Sequence, residues 1–396
     1  MSATADRENE PCPVDGTPQR LLLIGPSPGL VRAAVGAGFV VRVVSGTPES
    51  PDDRMPPGVP VDLVDLADGA ALAEAIELSV RVHGTQRLLA CAGTAELPAV
   101  AGTAARLRVT PNPADAARLL SEPAAMRALL NGSRHSYVPA ARARSAEELP
   151  AAVEEIGGPV TVRSLPSGAE EPGFPSAAGE RAYLVERYLH GPEYGVVTLT
   201  VDGMHRVVGV VALHGAWQAG CHLFPAPLPE RDEAEARAVV TELLDLAGYE
   251  FGYAYTVVVL TDDGPRVVRS RAAYPDEPVA SLIEVATGFR ADEELVQALA
   301  GKPVGVPTAD RYAAVASYRL PAGRLLSVSG LEAVSELAGV HRVHFPYESG
   351  DDIPGDGHGG EGYVMLTADS PQDVAGVVAA VGRLLRAEVS RRPDQG

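Results

Sequence analysis

Short apolar runs alternate with stretches of helical period through the first part of the chain. Leu21-Leu-Leu-Ile24 is apolar at every position and predicts a buried strand. It meets the turn Gly25-Pro-Ser-Pro-Gly29, an apolar helical stretch to Gly38 and a second strand from Val40 to Val44, which together make a βαβ unit. The alternation continues through Val61 to Val64, Ala70 to Val82 and Leu88 to Ala90, and predicts a small open α/β lobe over residues 20–111. The glycine turn is similar to dinucleotide-binding loops, but Gly25 and Gly29 do not give G-x-G-x-x-G and two prolines interrupt it. A structural turn is therefore expected ahead of a nicotinamide site.

Asn112-Pro113 predicts a helix start, with the asparagine as cap and the proline in the first turn, and Pro123 to Leu130 carries a second helix. Ser145-Ala-Glu-Glu148 reads as a capping box for a helix toward Ile156, interrupted by Pro150 and ended by Gly157-Gly-Pro159 before the strand Val160 to Val162. A loop from Leu165 to Glu180 and a strand from Tyr183 to Val185 follow. Two hairpins are predicted, Tyr194 to Val201 with Val207 to Leu213 around Asp202-Gly203, and Tyr253 to Leu260 with Arg266 to Arg271 around Asp263-Gly264. Between them a helix starts near Asp232, repeats Val239, Val240, Leu243, Leu244 and Ala247 at helical spacing, and stops at Gly248. The last lobe, 306–389, has strands at Ala313 to Tyr318 and Tyr363 to Leu366. Its helix is capped by Ser370-Pro371 and repeats Val374, Val377, Val378, Val381 and Leu385. The expected organisation is a tail (1–19), the α/β lobe (20–111), a central domain (112–305), the α+β last lobe (306–389) and a short tail (390–396).

Composition narrows the function. With 46% apolar and 21% charged residues the chain is expected to be an ordinary globular protein, and 396 residues call for two or three packed lobes with clefts between them. No run approaches the roughly 18 apolar residues that span a bilayer, and Met1 to Arg20 lacks a signal-like apolar core, so a cytoplasmic location is the default expectation. Cys12, Cys91 and Cys221 are odd in number and far apart, which argues for reduced thiols. A net charge of −19 would repel nucleic acid and anionic membranes, so neither is an expected partner. Lys302 is the only lysine, which excludes mechanisms that need two.

Several segments in order resemble one family. Ser121-Glu-Pro-Ala-Ala-Met-Arg127, Gly158-Pro-Val-Thr-Val-Arg163, Glu186-Arg-Tyr-Leu-His-Gly-Pro-Glu193, His222-Leu-Phe-Pro225, Gly252-Tyr-Ala-Tyr-Thr-Val257 and Gly264-Pro-Arg-Val-Val-Arg269 look like the landmarks of ATP-grasp carboxylate-amine ligases, in particular the L-amino acid (dipeptide) ligases. Gly350-Asp351 and Gly362-Tyr-Val364 extend the resemblance into the last lobe, so it covers roughly residues 20–388. It implies an α/β fold, α+β in parts, and an activity in which ATP converts a carboxylate to an acyl phosphate that an amine attacks. Such chemistry needs positive charge on the phosphates and acidic ligands for magnesium.

Carried onto this chain, the family's first phosphate lysine falls at Pro123 and the second at Arg163, a bidentate donor of different shape from an ammonium. Between Arg163 and Glu186 the phosphate flap is reduced to residues 164–185, with Gly168 and Gly173 its only glycines before Gly179. The resemblance places adenine against the backbone near Leu189 and the ribose hydroxyls on Glu193, with Glu186 at the start of the same hinge. The alternative is that both glutamates face solvent. The magnesium ligands fall at Val257, Arg269 and Arg271, where no hard oxygen donor remains, and the family's arginine two residues further on falls at Ala273, so ATP stays as the implied cofactor and magnesium does not.

Arg269 and Arg271 lie two apart on a strand and share a face. Either Asp262, Asp276 or Glu277 neutralises them, or they bind an anionic ligand or a partner's carboxylate. His222 matches a substrate-side histidine of the ligases, with a packed structural histidine as the alternative. His341, His344 and His358 lack a third ligand at metal spacing and read as surface loop residues. No G-x-S-x-G stands at a strand end, and Ser27 has no assigned His or acid partner, so a hydrolase is unsupported. Two functions follow: a homologue that has lost Mg-ATP-dependent ligation and binds a ligand or regulates a partner, or an active amide-forming ligase with arginines in the lysine and metal roles. The expected partners are a small carboxylate or amino-acid-like ligand, and a second copy or an active ligase.

Overall fold

The computed structural model describes residues 18–46, 55–91, 93, 97–133, 136–165, 181–213, 220–354 and 362–390. The expectations for the terminal tail, for most of the 165–180 loop and for His358 fall outside these residues. The chain divides into two compact units, Met1–Thr110 with Asp292–Gly305, and Pro111–Ala291 with Val306–Gly396.

In the first unit the strands β1 (Arg20–Ile24), β2 (Val40–Ser45), β3 (Val61–Leu63) and β4 (Arg87–Ala90) form a parallel sheet in the order β3-β2-β1-β4. β1 is central, which is why Leu21 to Ile24 are all fully buried. Helices α1 (Pro28–Gly36) and α2 (Gly69–His83) provide crossovers from β1 to β2 and from β3 to β4, and α3 (Pro98–Arg106) follows β4. The Gly25 to Gly29 turn is a helix cap: the Ser27 hydroxyl accepts from Leu30 N at 3.0 Å and donates to Asp292 Oδ2 at 3.0 Å. The sequence assigned Ser27 no acid partner, because Asp292 is 265 residues away.

The second unit opens with α4 (Ala116–Ser121) and α5 (Pro123–Ser133). Here the structure corrects the expected cap. α4 follows Asp115, and the Asn112 side chain instead accepts from Glu250 N and Phe251 N, each at 2.9 Å, and donates to Phe251 O at 2.8 Å. Asparagine suits both jobs because its amide mimics a backbone unit. Then come β5 (Ala140–Ala143), α6 (Leu149–Ile156), β6 (Val160–Leu165) and β7 (Ala182–Arg187), with the strands in the antiparallel order β5-β7-β6. Pro150 does not interrupt α6. It sits in the first turn, where a missing N–H costs nothing, after a 3-10 turn at Ala146–Glu148. Nor does Ser145 cap through its side chain; Glu148 Oε2 accepts from Arg144 N at 2.7 Å.

An antiparallel sheet of eight strands dominates this unit, in the order β12-β11-β8-β9-β10-β13-β17-β15. The members are β8 (Glu193–Val201), β9 (Met204–Ala212), β10 (Cys221–Phe224), β11 (Phe251–Thr261), β12 (Gly264–Arg271), β13 (Tyr312–Tyr318), β15 (Val340–His344) and β17 (Gly362–Ala368). Both predicted hairpins form, and the sheet runs on through β13 into the C-terminal strands. One face packs on α7 (Glu230–Ala247), whose Val239, Val240, Leu243, Leu244 and Ala247 are all buried with Tyr194, Val196, Ala254, Val258 and Val267 from the strands. Gly248 ends α7 at φ 63°, a left-handed cap that glycine adopts without steric cost. Helices α8 (Val279–Thr287) and α9 (Ala291–Leu299) follow β12. The end of the chain adds β14 (Gly323–Ser329), α10 (Leu331–Ser335), β16 (Asp352–Ile353), α11 (Pro371–Leu384) and β18 (Arg386–Ser390), with a small sheet β16-β14-β18. α11 is capped by Ser370 as its sequence predicts. His341 and His344 are not loop residues: they lie on β15, with His341 Nε2 2.7 Å from Thr367 Oγ1 and the His344 ring 5.1 Å from that of Tyr363. Among the described residues no helix is long and apolar enough to cross a membrane.

Candidate functional site

The face of the large sheet opposite α7 collects the chemistry. Pairing places Val259 beside Glu193, Val257 beside Gly195 and Arg269, and Tyr255 beside Arg271, so Glu193, Tyr255, Val257, Arg269 and Arg271 share one side of β8, β11 and β12. His222 belongs to the same face through Leu223, which pairs with Ala212 and therefore points the other way. It is buried opposite Val315, four strand steps or roughly 19 Å from Arg269. The fold thus joins the two arginines with Tyr255 and sets Glu193 midway, two strands from Arg269 and two from His222.

Arg269 is exposed, and among the described residues no carboxylate pairs with it. Arg271 is half-buried. Its Nη1 donates to Asp276 Oδ2 at 2.7 Å, its Nη2 to the Tyr274 carbonyl at 3.4 Å, and its Cζ lies 5.8 Å from the centre of the Tyr255 ring. Of the neutralising partners the sequence offered, Asp276 is used, while Glu277 accepts from Ser281. Burial pushes the Tyr255 phenol up to about 12 against the pull of Arg269 and Arg271, with Glu193 and Asp276 adding to the rise. All four charges are therefore close enough to act on one hydroxyl. Gly195 makes room for that ring: a Cβ there would meet the Tyr255 oxygen at 2.5 Å.

Behind this face, on the open edge of β12, lies a buried charge cluster. Arg127 donates through Nε to Glu186 Oε1 at 2.5 Å, through Nη2 to Val267 O at 2.7 Å and through Nη1 to Ser136 O at 3.3 Å. Arg163 Nε lies 3.5 Å from Glu186 Oε2, an ion-pair separation, and its Nη1 donates to Val268 O at 3.4 Å. Ser136 Oγ completes the edge by accepting from Val267 N at 2.8 Å. Glu186 does not face solvent: only 5% of it is exposed, and its carboxylate joins two guanidiniums. Arg163, which the sequence resemblance sets at a phosphate-binding lysine, is drawn into this cluster and is itself 5% exposed.

Between β7 and β8 the hinge is partly open. Leu189 is half-buried, and among the described residues its amide and carbonyl make no hydrogen bond, which leaves both available to a planar base or to water. Gly191 holds this stretch against β11 at φ 146°, where a Cβ would lie 2.0 Å from the Leu260 carbonyl oxygen. Glu193 follows as the first, half-buried residue of β8.

Comparison with solved structures accounts for the arrangement. An L-amino acid ligase from Bacillus licheniformis superposes with a TM-score of 0.75 at 18% identity, over 94% of this chain and 99% of the other. An N5-carboxyaminoimidazole ribonucleotide synthetase from Thermotoga maritima gives 0.68 at 17%, over 94% and 100%. The chain has the ATP-grasp fold. A biotin carboxylase from Campylobacter jejuni, solved with β,γ-ATP, gives 0.61 at 13%, over 93% and 92%. The family profile for L-amino acid ligase C-terminal domain 2 matches residues 318–390. A search of curated proteins found no match.

In the ATP-grasp frame the donor set can be tested against a metal. At the three positions the resemblance gives to the metal ligands, Val257 is 0% exposed and packed in the core, while Arg269 and Arg271 bring positive charge. A hard divalent ion needs several oxygens, and these residues supply none, so magnesium does not fit them. Among the described residues no group of three His, Cys, Asp or Glu side chains is arranged for any metal. The sequence missed three members of the site. Arg127 stands in a motif that resembles the ATP-grasp landmarks, but its partner Glu186 is 59 positions away. Tyr255 stands in the landmark Gly252 to Val257 but is not singled out there, and Ser136 carried no signal beyond an ordinary loop.

Proposed function

We propose that this ATP-grasp protein no longer carries out Mg-ATP-dependent ligation and works as an anion-binding or partner-regulating homologue of the carboxylate-amine ligases. One observation carries the reading: the three positions that the resemblance gives to the metal ligands hold the core residue Val257 and two arginines, so the charge of the site is inverted. Transfer of a phosphoryl group relies almost wholly on fixed positive charge around the phosphates and on a correctly held ion. Here the phosphate-side Arg163 is committed to Glu186 and the ion has no donors. Nucleotide binding is separable from that loss. The half-buried, open Leu189 backbone and Glu193 support it, as does a biotin carboxylase of the same fold solved with β,γ-ATP.

The test is phosphate release from ATP with magnesium and mixed amino acids, alongside thermal shifts with carboxylates and with a neighbouring ligase. The proposal expects no saturable release and a shift with an anion or a partner. Amino-acid-dependent release that saturates would overturn it in favour of an active ligase.

A further inference from the structure

We propose that the face formed by Tyr255, Arg269 and Arg271 binds the polyphosphate of a nucleotide as the metal-free anion, the two guanidiniums standing where a divalent ion would stand. This deepens the non-ligating reading and rests on it, because it names what the inverted site takes.

The Cα atoms of two residues at alternate positions of one strand are about 7 Å apart, so two arginines there bring like charges together, which is unfavourable until an anion lies between them. Asp276 meets only Arg271, and its side chain is 70% exposed, so a multiply charged ligand competes with a hydrated surface carboxylate. Arg269 has no such competitor among the described residues. Each guanidinium presents a planar fork that grips phosphate oxygens in pairs, so two forks favour adjacent phosphates over a single carboxylate. The half-buried Tyr255 ring walls one side of Arg271 and keeps its fork in place. Glu193 lies on the same face, and Leu189, with its open backbone, is in the hinge that leads into β8. Glu193 is two strand steps across and two residues along from Arg269, roughly 12 Å in all, which leaves the length of a nucleotide between a base at the hinge and phosphates at the arginines. Magnesium on the ligand would bring its own positive charge beside both arginines and find no oxygen from the protein, so it should oppose binding.

The measurement is calorimetry on the full chain with ATP, ADP, tripolyphosphate and adenosine, in EDTA and then with excess magnesium. The expected result is saturable ATP binding in EDTA, competed by tripolyphosphate and weakened when magnesium saturates the nucleotide. Arg269→Ala should weaken it about tenfold or more, the loss of a charge-assisted contact. Arg269 is exposed, so that variant should keep the parent melting temperature, and Arg269→Ala/Arg271→Ala should abolish binding. Binding that appears only with magnesium overturns the inference. So does binding unmoved by the double substitution, or a response to carboxylates and none to ATP or tripolyphosphate; this last outcome leaves the non-ligating reading standing. Phosphate release with amino acids strikes at that reading instead, whatever the affinity in EDTA.

Discussion

Glu186 shows how strongly one residue can be constrained by partners distant in sequence. Its buried carboxylate pairs with both Arg127 and Arg163, and both arginines also donate to carbonyls of β12. Glu186→Gln would leave two buried guanidiniums sharing a neutral amide, and removing one partner of a buried pair costs about 3–5 kcal/mol. Asp276→Asn breaks an ion pair whose acidic member is largely exposed and should cost less than about 1 kcal/mol. Urea unfolding of the two variants compares them directly, and equal losses would show that the buried cluster does not support the fold. Alkaline pH tests two further residues. Burial raises the Cys221 thiol from 9.0 to about 11 and the Tyr255 phenol from 10.0 to about 12. Both ionise by losing a proton, and between those limits the unfolded chain binds fewer protons than the folded one. Their stabilisation is full below about pH 9 and is lost as pH rises through about 11 and 12. Cys221→Ala should flatten the loss between pH 9 and 11 in unfolding experiments, and an unchanged slope would refute the assignment. The pairing of Arg269 and Arg271 on one face was legible in the sequence, because strand alternation fixes side-chain direction. The capture of Arg163 by Glu186 was not, since no local pattern records a contact between strands across a loop.

Elements follow local sequence closely wherever one face must be buried. α7 is the clearest example: its apolar positions repeat at helical spacing and lie fully buried against the sheet. Leu243→Ala removes a side chain with 0% exposure and should cost about 2–5 kcal/mol, because the sheet behind it cannot collapse into the gap. A loss below about 1 kcal/mol in denaturant titrations would mean that this helix face is not rigidly packed. Caps were read less well than periods. Ser370 caps α11 as expected, but Asn112 spends its amide on Glu250 and Phe251, positions 138 and 139 residues further on. The chemistry that makes asparagine a good cap also makes it a good clamp for another backbone, and only the location of that backbone decides between them. Pro150 is a similar case, a helix breaker by composition and a first-turn residue by position.

At the scale of the molecule, charge is the global variable. A net charge of −19 means that the folded chain repels itself at low ionic strength. Raising salt from about 0.01 M to 0.15 M shortens the screening length from about 30 Å to about 8 Å. The melting temperature should therefore rise over that interval, and a fall would show that ion pairs outweigh the acidic excess. The sequence by itself determined the α/β start, the two hairpins, the helices α7 and α11, and the lack of oxygen donors in the side chains of Val257, Arg269 and Arg271. These are encoded in residue type and short-range period, which act over a few positions. Only the tertiary structure decided that Glu186 is a buried bridge, that Asn112 is a clamp, and that Tyr255 joins the two arginines while Glu193 stands two strands from Arg269 and His222 four. Those outcomes depend on which strands become neighbours and in what register, and that is set by the packing of the whole sheet.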